Sequence, residues 1–292
     1  GVMVWSAAND VGESDASAMA GLPELFPDLG EAWIVANVVQ YTGDSDLSNA
    51  TSSEFTLKGN KCGSTAEYCL SVDGYDVYAA TYLDSGTSQY NNSRISYGSS
   101  WSAPMVSGGV ALVAQAFPNH TPEQLVDRIL ASANNVWFTP EGNTTFTTHG
   151  NAVKHGYHST WGHGIPDFYA ALSPITSDGN PASMSLYTSS SIQSSKAASL
   201  GSSYIIPSTS FGDAISQGLM GEVGYAYDAL NGGFKYDMSR RVNMTNYKVP
   251  IIHLSSELSK LDSQIKSNSS SLWKQDFSNV VSILSKTDKL EA

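Results

Sequence analysis

Cysteine is almost absent: Cys62 and Cys69 are the only two in 292 residues. That excludes a disulfide framework, and it excludes a structural zinc site built on thiolates alone. Two readings of the pair stand at this level. One is a bridge across a short loop, stabilising by about 2–3 kcal/mol in an oxidising compartment; the other is two buried free thiols. Positive charge is also scarce. Lys and Arg number 15 against 27 Asp and Glu, a net charge of −12, which leaves no broad basic surface for nucleic acid. No apolar run approaches the roughly 18–20 residues of a membrane helix. The opening at Gly1 has neither a basic start nor a long apolar core, so it does not read as a signal peptide. The chain is expected to be cut upstream, because "GVMVW" reads as a fully buried parallel strand and a domain seldom begins at its central sheet.

What is present has an α/β signature. A chain of 292 residues has room for one domain of about 200 residues plus an appendage. From Gly1 to Ser173 short apolar runs alternate with Gly, Asn and Ser turns and with helical stretches. "GVMVW", "AWIVANVV" (32–39), "YCLSV" (68–72) and "YDVYAATY" (75–82) are expected as strands, and "APMVSGGVALVAQAF" (103–117) as a buried helix. A second helix is expected in "TPEQLVDRILASA". Thr121 can cap it, Pro122 suits its first position, Gln124 can reach back to the cap, and Leu125, Ile129 and Leu130 share its apolar face. After Pro174 the sequence turns Ser-rich and reads as a linker to residue 203. The stretch 204–292 follows, with a loose and mostly polar helical period near its end. No internal repeat is present.

"YGSSWSAPMVSGG" (97–109) crowds Ser, Gly and Pro against the start of the apolar helix. A serine hydroxyl attacks a carbonyl only when it is exposed at a sharp turn, has a base to take its proton, and has donors for the developing oxyanion. A helix N-terminus gives Ser100 the exposure and, through an unpaired backbone N–H, part of the oxyanion site. Gly98, Ser99, Ser102 and Ala103 are small enough for a peptide to approach. Pro104 removes an N–H from what is expected to be the first turn. Serine is also a common helix cap, so on these residues alone both readings stand.

"GSSWSAPMVSG" resembles the nucleophile segment GTSxAAPxVxG of subtilisin-like serine proteases, with Ser100 on the serine position and Gly98, Ala103, Pro104, Val106 and Gly108 in register. "VWSAAND" resembles that family's strand ending in AAGN, whose asparagine is the second oxyanion donor; here it is Asn9. "LPELFPDLGEAWIVANVVQ" and "NKCGSTAEYCLSVDGYDVYAATY" are similar to the subtilisin-like passengers of bacterial autotransporters, and Cys62 and Cys69 match that group's cysteine pair, which implies a disulfide. "WGHGIPDFYAAL" (161–172) resembles the segment that closes the protease domain. Residues 202–239 resemble the junction between passenger and outer-membrane barrel. His155, His158 and His163 cluster, but their spacing fits no helix face and the family explains His163 as a variable position, so no metal site is expected.

The resemblance implies an α/β, subtilisin-like three-layer domain with a mostly parallel sheet, incomplete at its N-terminus, over residues 1–173. A Ser-rich linker, 174–203, and a junction region, 204–292, would follow. It implies a serine endopeptidase that hydrolyses peptide bonds through an acyl-enzyme on Ser100. Asn9 and the Ser100 N–H would hold the oxyanion, and Ser6, Ala7, Ala8 and Ser99 would contact substrate. In the family the catalytic Asp and His precede the asparagine, so both are expected before Gly1, and these residues alone are expected to be inactive. The implied partners are a protein or peptide substrate, with no nucleic acid, and an outer-membrane barrel in cis beyond the C-terminus. No cofactor is expected, and nothing indicates calcium. The implied location is secreted or cell-surface, at the outer membrane of a Gram-negative bacterium. Three departures stand out: Ser99 for Thr is mild, since the hydroxyl is kept, while Ala8 for Gly and above all Trp101 for a medium side chain support an alternative, a catalytically inactive surface passenger serving as a binding scaffold.

Overall fold

The run WIVANVVQY, Trp33–Tyr41, forms a strand whose first seven residues are buried, and the rest of the fold is laid against it. The computed structural model describes residues 1–82, 90–147, 152–179, 183–188, 198–199 and 218–238. Their strands are β1 (Met3–Ser6), β2 (Trp33–Tyr41), β3 (Phe55–Leu57), β4 (Cys69–Asp73), β5 (Val77–Tyr82), β6 (Tyr90–Ser96), β7 (Gly142–Phe146), β8 (Val153–Tyr157), β9 (Ser185–Thr188), β10 (Ala198–Ser199), β11 (Val223–Tyr227) and β12 (Gly233–Asp237). The helices are α1 (Leu22–Leu25), α2 (Ser99–Ala116), α3 (Pro122–Ala131) and α4 (Phe168–Leu172).

β2 pairs in parallel with β1 on one side and with β4 on the other, and its end pairs antiparallel with β3. A strand flanked in this way is covered on both faces, which is why its sequence is continuously apolar. Ile34 and Ala36, with Leu70 and Val72 of β4, pack against Val106 and Val113 of α2 and against Leu125, Val126, Ile129 and Leu130 of α3. The alternate residues Trp33 and Val35 pack with Ala7, Ala66, Cys62 and Cys69. Each such aliphatic side chain contributes about 1.5–3 kcal/mol.

Some expectations hold and others change. β1 is parallel, as expected, but among the described residues it lies at the sheet edge, and Met3 is 50% exposed, so it is not fully buried. The strand expected at 75–82 does not join the main sheet; it forms an antiparallel hairpin with β6. The capping box of α3 is present: the Gln124 N–H donates to Thr121 Oγ1 (3.2 Å) and the Thr121 N–H to Gln124 Oε1 (3.0 Å). Cys62 and Cys69 are bridged, with Cα atoms 5.9 Å apart.

α2 starts at Ser99 instead of Ala103, so Pro104 is its sixth residue and not a first-turn residue. The missing N–H therefore leaves the Ser100 carbonyl without its intrahelical donor. The helix is buried on one face only, with Met105 40% and Leu112 55% exposed.

The chain falls into two compact units, with one break at 203, where the junction region was expected to begin. One unit comprises Gly1–Ser203 together with Gly221–Met238. Within it β9, in the expected linker, pairs antiparallel with β11, and Leu230 joins the core beside α3. Of the expected junction (202–239), residues 202–217 lie outside the described residues, as does the helical period after 239.

Candidate active site

Ser100 is the second residue of α2 and is exposed, between the buried side chains of Ser99 and Ser102. Two backbone contacts set the turn. The Gly98 N–H donates to Gly74 O (3.1 Å), tying the helix start to the end of β4, and the Trp101 N–H donates to Gly98 O (2.9 Å). Gly74 has to be glycine for this approach, because a Cβ there would lie 2.5 Å from Ser102 Oγ and 3.1 Å from Gly98 O. Gly98 has φ +148, and a Cβ on it would stand 3.2 Å from Asn9 Nδ2. The β5–β6 hairpin rises between these two glycines. Its base is closed by Tyr75 and Tyr97, whose ring centroids are 5.3 Å apart, and Lys58 Nζ sits 4.6 Å above the Tyr75 ring.

Asn9, 90 residues from Ser99 in sequence, is joined to this turn. Its Oδ1 accepts from the Ser99 N–H (2.7 Å) and from the Ser99 hydroxyl (3.0 Å), and Ser99 Oγ in turn accepts the Ala8 N–H (3.2 Å). With the oxygen engaged twice, the amide orientation is settled. Nδ2 lies beside Gly98, 3.2 Å from where a Cβ on that residue would stand, and bonds no described residue. Asn9 Nδ2 and the first-turn N–H of Ser100 are thus two donors left open at the start of α2. Ser99 acts here by orienting Asn9.

The other residues expected at substrate are placed less freely. Ala7 is buried, its N–H donates to Ala36 O (2.9 Å) and its carbonyl accepts from the Ser17 N–H (2.8 Å), so it supports the site from within. Ser6 ends β1 opposite Ala36. Ala8 offers its methyl group, since its N–H and carbonyl are both bonded inside the fold. Trp101, half-buried, follows the serine in the first turn. Asn60 and Gly59, which bear on the Ala8–Asp10 segment, escaped the sequence reading; the only signal was their place just before Cys62.

Ala8 has φ +102, a conformation that costs a side-chain-bearing residue about 1–3 kcal/mol. Glycine would remove the strain and give back part of the gain as chain entropy. Ala8→Gly is therefore expected to raise stability by about 1 kcal/mol, seen as a melting point higher by about 2–4 °C. An unchanged or lower melting point would show that the strain is not there.

No described histidine serves Ser100. His120 faces Leu230 O (3.2 Å), and His158 lies 3.4 Å from Glu141. His155 and His163 approach through their Nδ1 atoms (2.9 Å), while their Nε2 atoms face Ala133 O (2.8 Å) and Glu67 O (2.9 Å). Among the described residues no group of three or more His, Cys, Asp or Glu could hold a metal ion. Burial first, and then the neighbouring His155, push His163 down to about 3, against a raising contribution from the Glu67 carbonyl.

The sign follows from proton uptake. Below about pH 6.5 the unfolded chain protonates this ring while the folded chain does not, so stability falls with pH by up to about 1.4 kcal/mol per unit until the folded value is reached. Denaturation midpoints at pH 6.5 and 5 are expected to show this loss, and His163→Leu to diminish it. An equal loss in the variant would refute the assignment.

The model of the subtilase family matches residues 1–164. Over 150 residues the chain is 29% identical to an extracellular serine protease of Serratia marcescens; the alignment covers 46% of this chain and 13% of that protein. Among solved structures, fervidolysin from Fervidobacterium pennivorans, a keratinolytic enzyme related to subtilisin, shares 20% identity at a TM-score of 0.37, covering 64% of this chain and 27% of its own. A prenylagaramide maturation protease shares 18% identity at a TM-score of 0.36, covering 59% and 49%.

Proposed function

From the premise that the chain belongs to the subtilase family, we propose that it carries the nucleophile and oxyanion half of a secreted serine endopeptidase. Ser100 Oγ attacks the peptide carbonyl as a base takes its proton, and the oxyanion is held by Asn9 Nδ2 and the Ser100 N–H. Collapse breaks the C–N bond, the amine leaves with the proton returned by the base, and water then hydrolyses the Ser100 ester. The observation that supports this reading is the double engagement of Asn9 Oδ1 by Ser99, at 2.7 and 3.0 Å, which leaves the amide nitrogen beside Gly98 with no described partner.

The base and its orienting carboxylate are, in this proposal, a His and an Asp on polypeptide preceding Gly1. Two features support it. The free edge of β1 has no strand partner among the described residues, and the uncovered face of α2 presents Met105 and Leu112. A further parallel strand beside β1, with the segment that follows it, would cover both. The buried disulfide and the extracellular protease relative support secretion. Attachment in cis to an outer-membrane barrel, as an autotransporter passenger, is part of the same proposal and rests on the sequence resemblance. Protein or peptide chains are the proposed substrates.

A peptide-hydrolysis assay on the full gene product and on residues 1–292 alone tests this. The full product is expected to cleave an unfolded protein substrate and the shorter chain to be inert. Activity of the shorter chain would refute the upstream base. A folded full product without activity would favour the scaffold reading, to which the half-buried Trp101 beside the nucleophile lends support.

A further inference from the structure

Asn9 is a donor only while the segment around it holds its shape, and that segment contains the strained Ala8, φ +102. Strained backbone persists where its surroundings over-determine it, and here one residue supplies most of the restraint. The Asn60 N–H donates to Ala8 O (3.2 Å), Asn60 Oδ1 accepts the Asp10 N–H (2.8 Å), and Asn60 Nδ2 donates to Asp15 O (2.8 Å). Asn9 is thus bracketed by bonds from Asn60 to the residue on either side of it.

Asn60 is buried, so water does not compete for these bonds. Its neighbour Gly59 lets the two segments touch: a Cβ there would lie 3.2 Å from Asn9 Cα and would collide with Ala8 O. The support beneath is fixed. The Cys62 N–H donates to Thr160 O (3.3 Å) and the Gly63 N–H to Ser159 O (2.7 Å), and Cys62 is bridged to Cys69.

We propose that Asn60 is a positioning residue of the oxyanion site, holding the Ala8–Asp10 backbone so that Asn9 presents Nδ2 to the developing oxyanion. This rests on the proteolytic reading above. Ser99 orients the Asn9 amide about its side-chain torsions, and Asn60 sets where the backbone carries that side chain. Displacements of about 1 Å at a reacting centre cost up to about 10²-fold in rate, so loss of the Asn60 side-chain bonds to Asp10 and Asp15, with the main-chain bond to Ala8 kept, is a kcat effect and not a KM effect.

A double-mutant cycle on the full-length enzyme distinguishes positioning from a general structural role. Asn60→Ala is expected to lower kcat by about tenfold or more with KM nearly unchanged. In an Asn9→Ala background the same substitution is expected to change kcat little, because the donor it positions is already gone. Asn60→Asp keeps an acceptor for the Asp10 N–H and loses the donor to Asp15 O. It is expected to fall between wild type and Asn60→Ala, and it carries the cycle if Asn60→Ala does not fold. An equal kcat loss with and without Asn9 would overturn the positioning role. Undiminished kcat in Asn9→Ala alone would overturn the oxyanion reading itself, which is a different failure.

Discussion

Ser100→Ala in the full-length protein is expected to abolish peptide hydrolysis while leaving the fold intact. In subtilisin, the family's namesake, loss of the nucleophile costs about 2 × 10⁶ in kcat, and that magnitude is carried over here; residual catalysis of about 10³–10⁴ over water comes from the oxyanion donors and from binding. The structural side of the expectation is independent of the family. Ser100 is exposed, its hydroxyl bonds no described residue, and alanine is a good helix former, so stability should change by less than about 0.5 kcal/mol. Loss of activity with an unchanged melting point therefore marks a chemical role. Activity persisting in the variant would contradict the assignment.

The second large effect concerns stability. Arg128, fully buried in α3, donates from Nε to Ala171 O (2.6 Å) and from Nη2 to Ser173 O (2.9 Å) and Asp228 Oδ2 (2.7 Å). Its guanidinium lies 4.0 Å from the centroid of the Phe117 ring. Asp228, also buried, accepts in addition from the backbone N–H groups of Ile175 (2.9 Å), Leu230 (3.1 Å) and Gly232 (2.7 Å).

Removing either partner strands a charge in the interior, which typically costs about 3–5 kcal/mol. Arg128→Ala and Asp228→Ala are each expected to lower unfolding free energy by that amount in urea titration, and the double variant by less than the sum. Losses below about 1 kcal/mol in both would mean that the pair does not hold the β11–β12 hairpin to the body. The same pair explains why Gly221–Met238 belongs to the first unit although it is separated from it in sequence.

How much of this was legible depended on the range of the interaction. The α3 cap was readable because Thr121, Pro122 and Gln124 act within one turn, and β2 because a strand covered on both faces must be apolar throughout. Ser100 and Asn9 stand out through the family resemblance of their two segments, and the structure joins those segments where Ser99 bonds Asn9. The start of α2 was not readable, because Ser, Gly and Pro are ambiguous there: Pro104 can open a helix or interrupt one, and Ser99 engages Asn9 instead of capping.

Apart from its place just before Cys62, Asn60 leaves no local trace, as its side-chain partners stand 45 and 50 residues away. Nothing local marks Arg128, a cation near the end of α3, because its buried partner Asp228 stands a hundred residues on. β9 was hidden by Ser-rich composition, which predicts a linker until β11 supplies a partner strand.

The most direct measurement is covalent capture. The folded full-length protein would be treated with a fluorophosphonate, digested, and the adduct located by peptide mass. The expected result is a single adduct on Ser100, greatly diminished in Asn9→Ala and absent in Ser100→Ala. An adduct elsewhere, or none on folded protein, would contradict the assignment of Ser100 as the nucleophile.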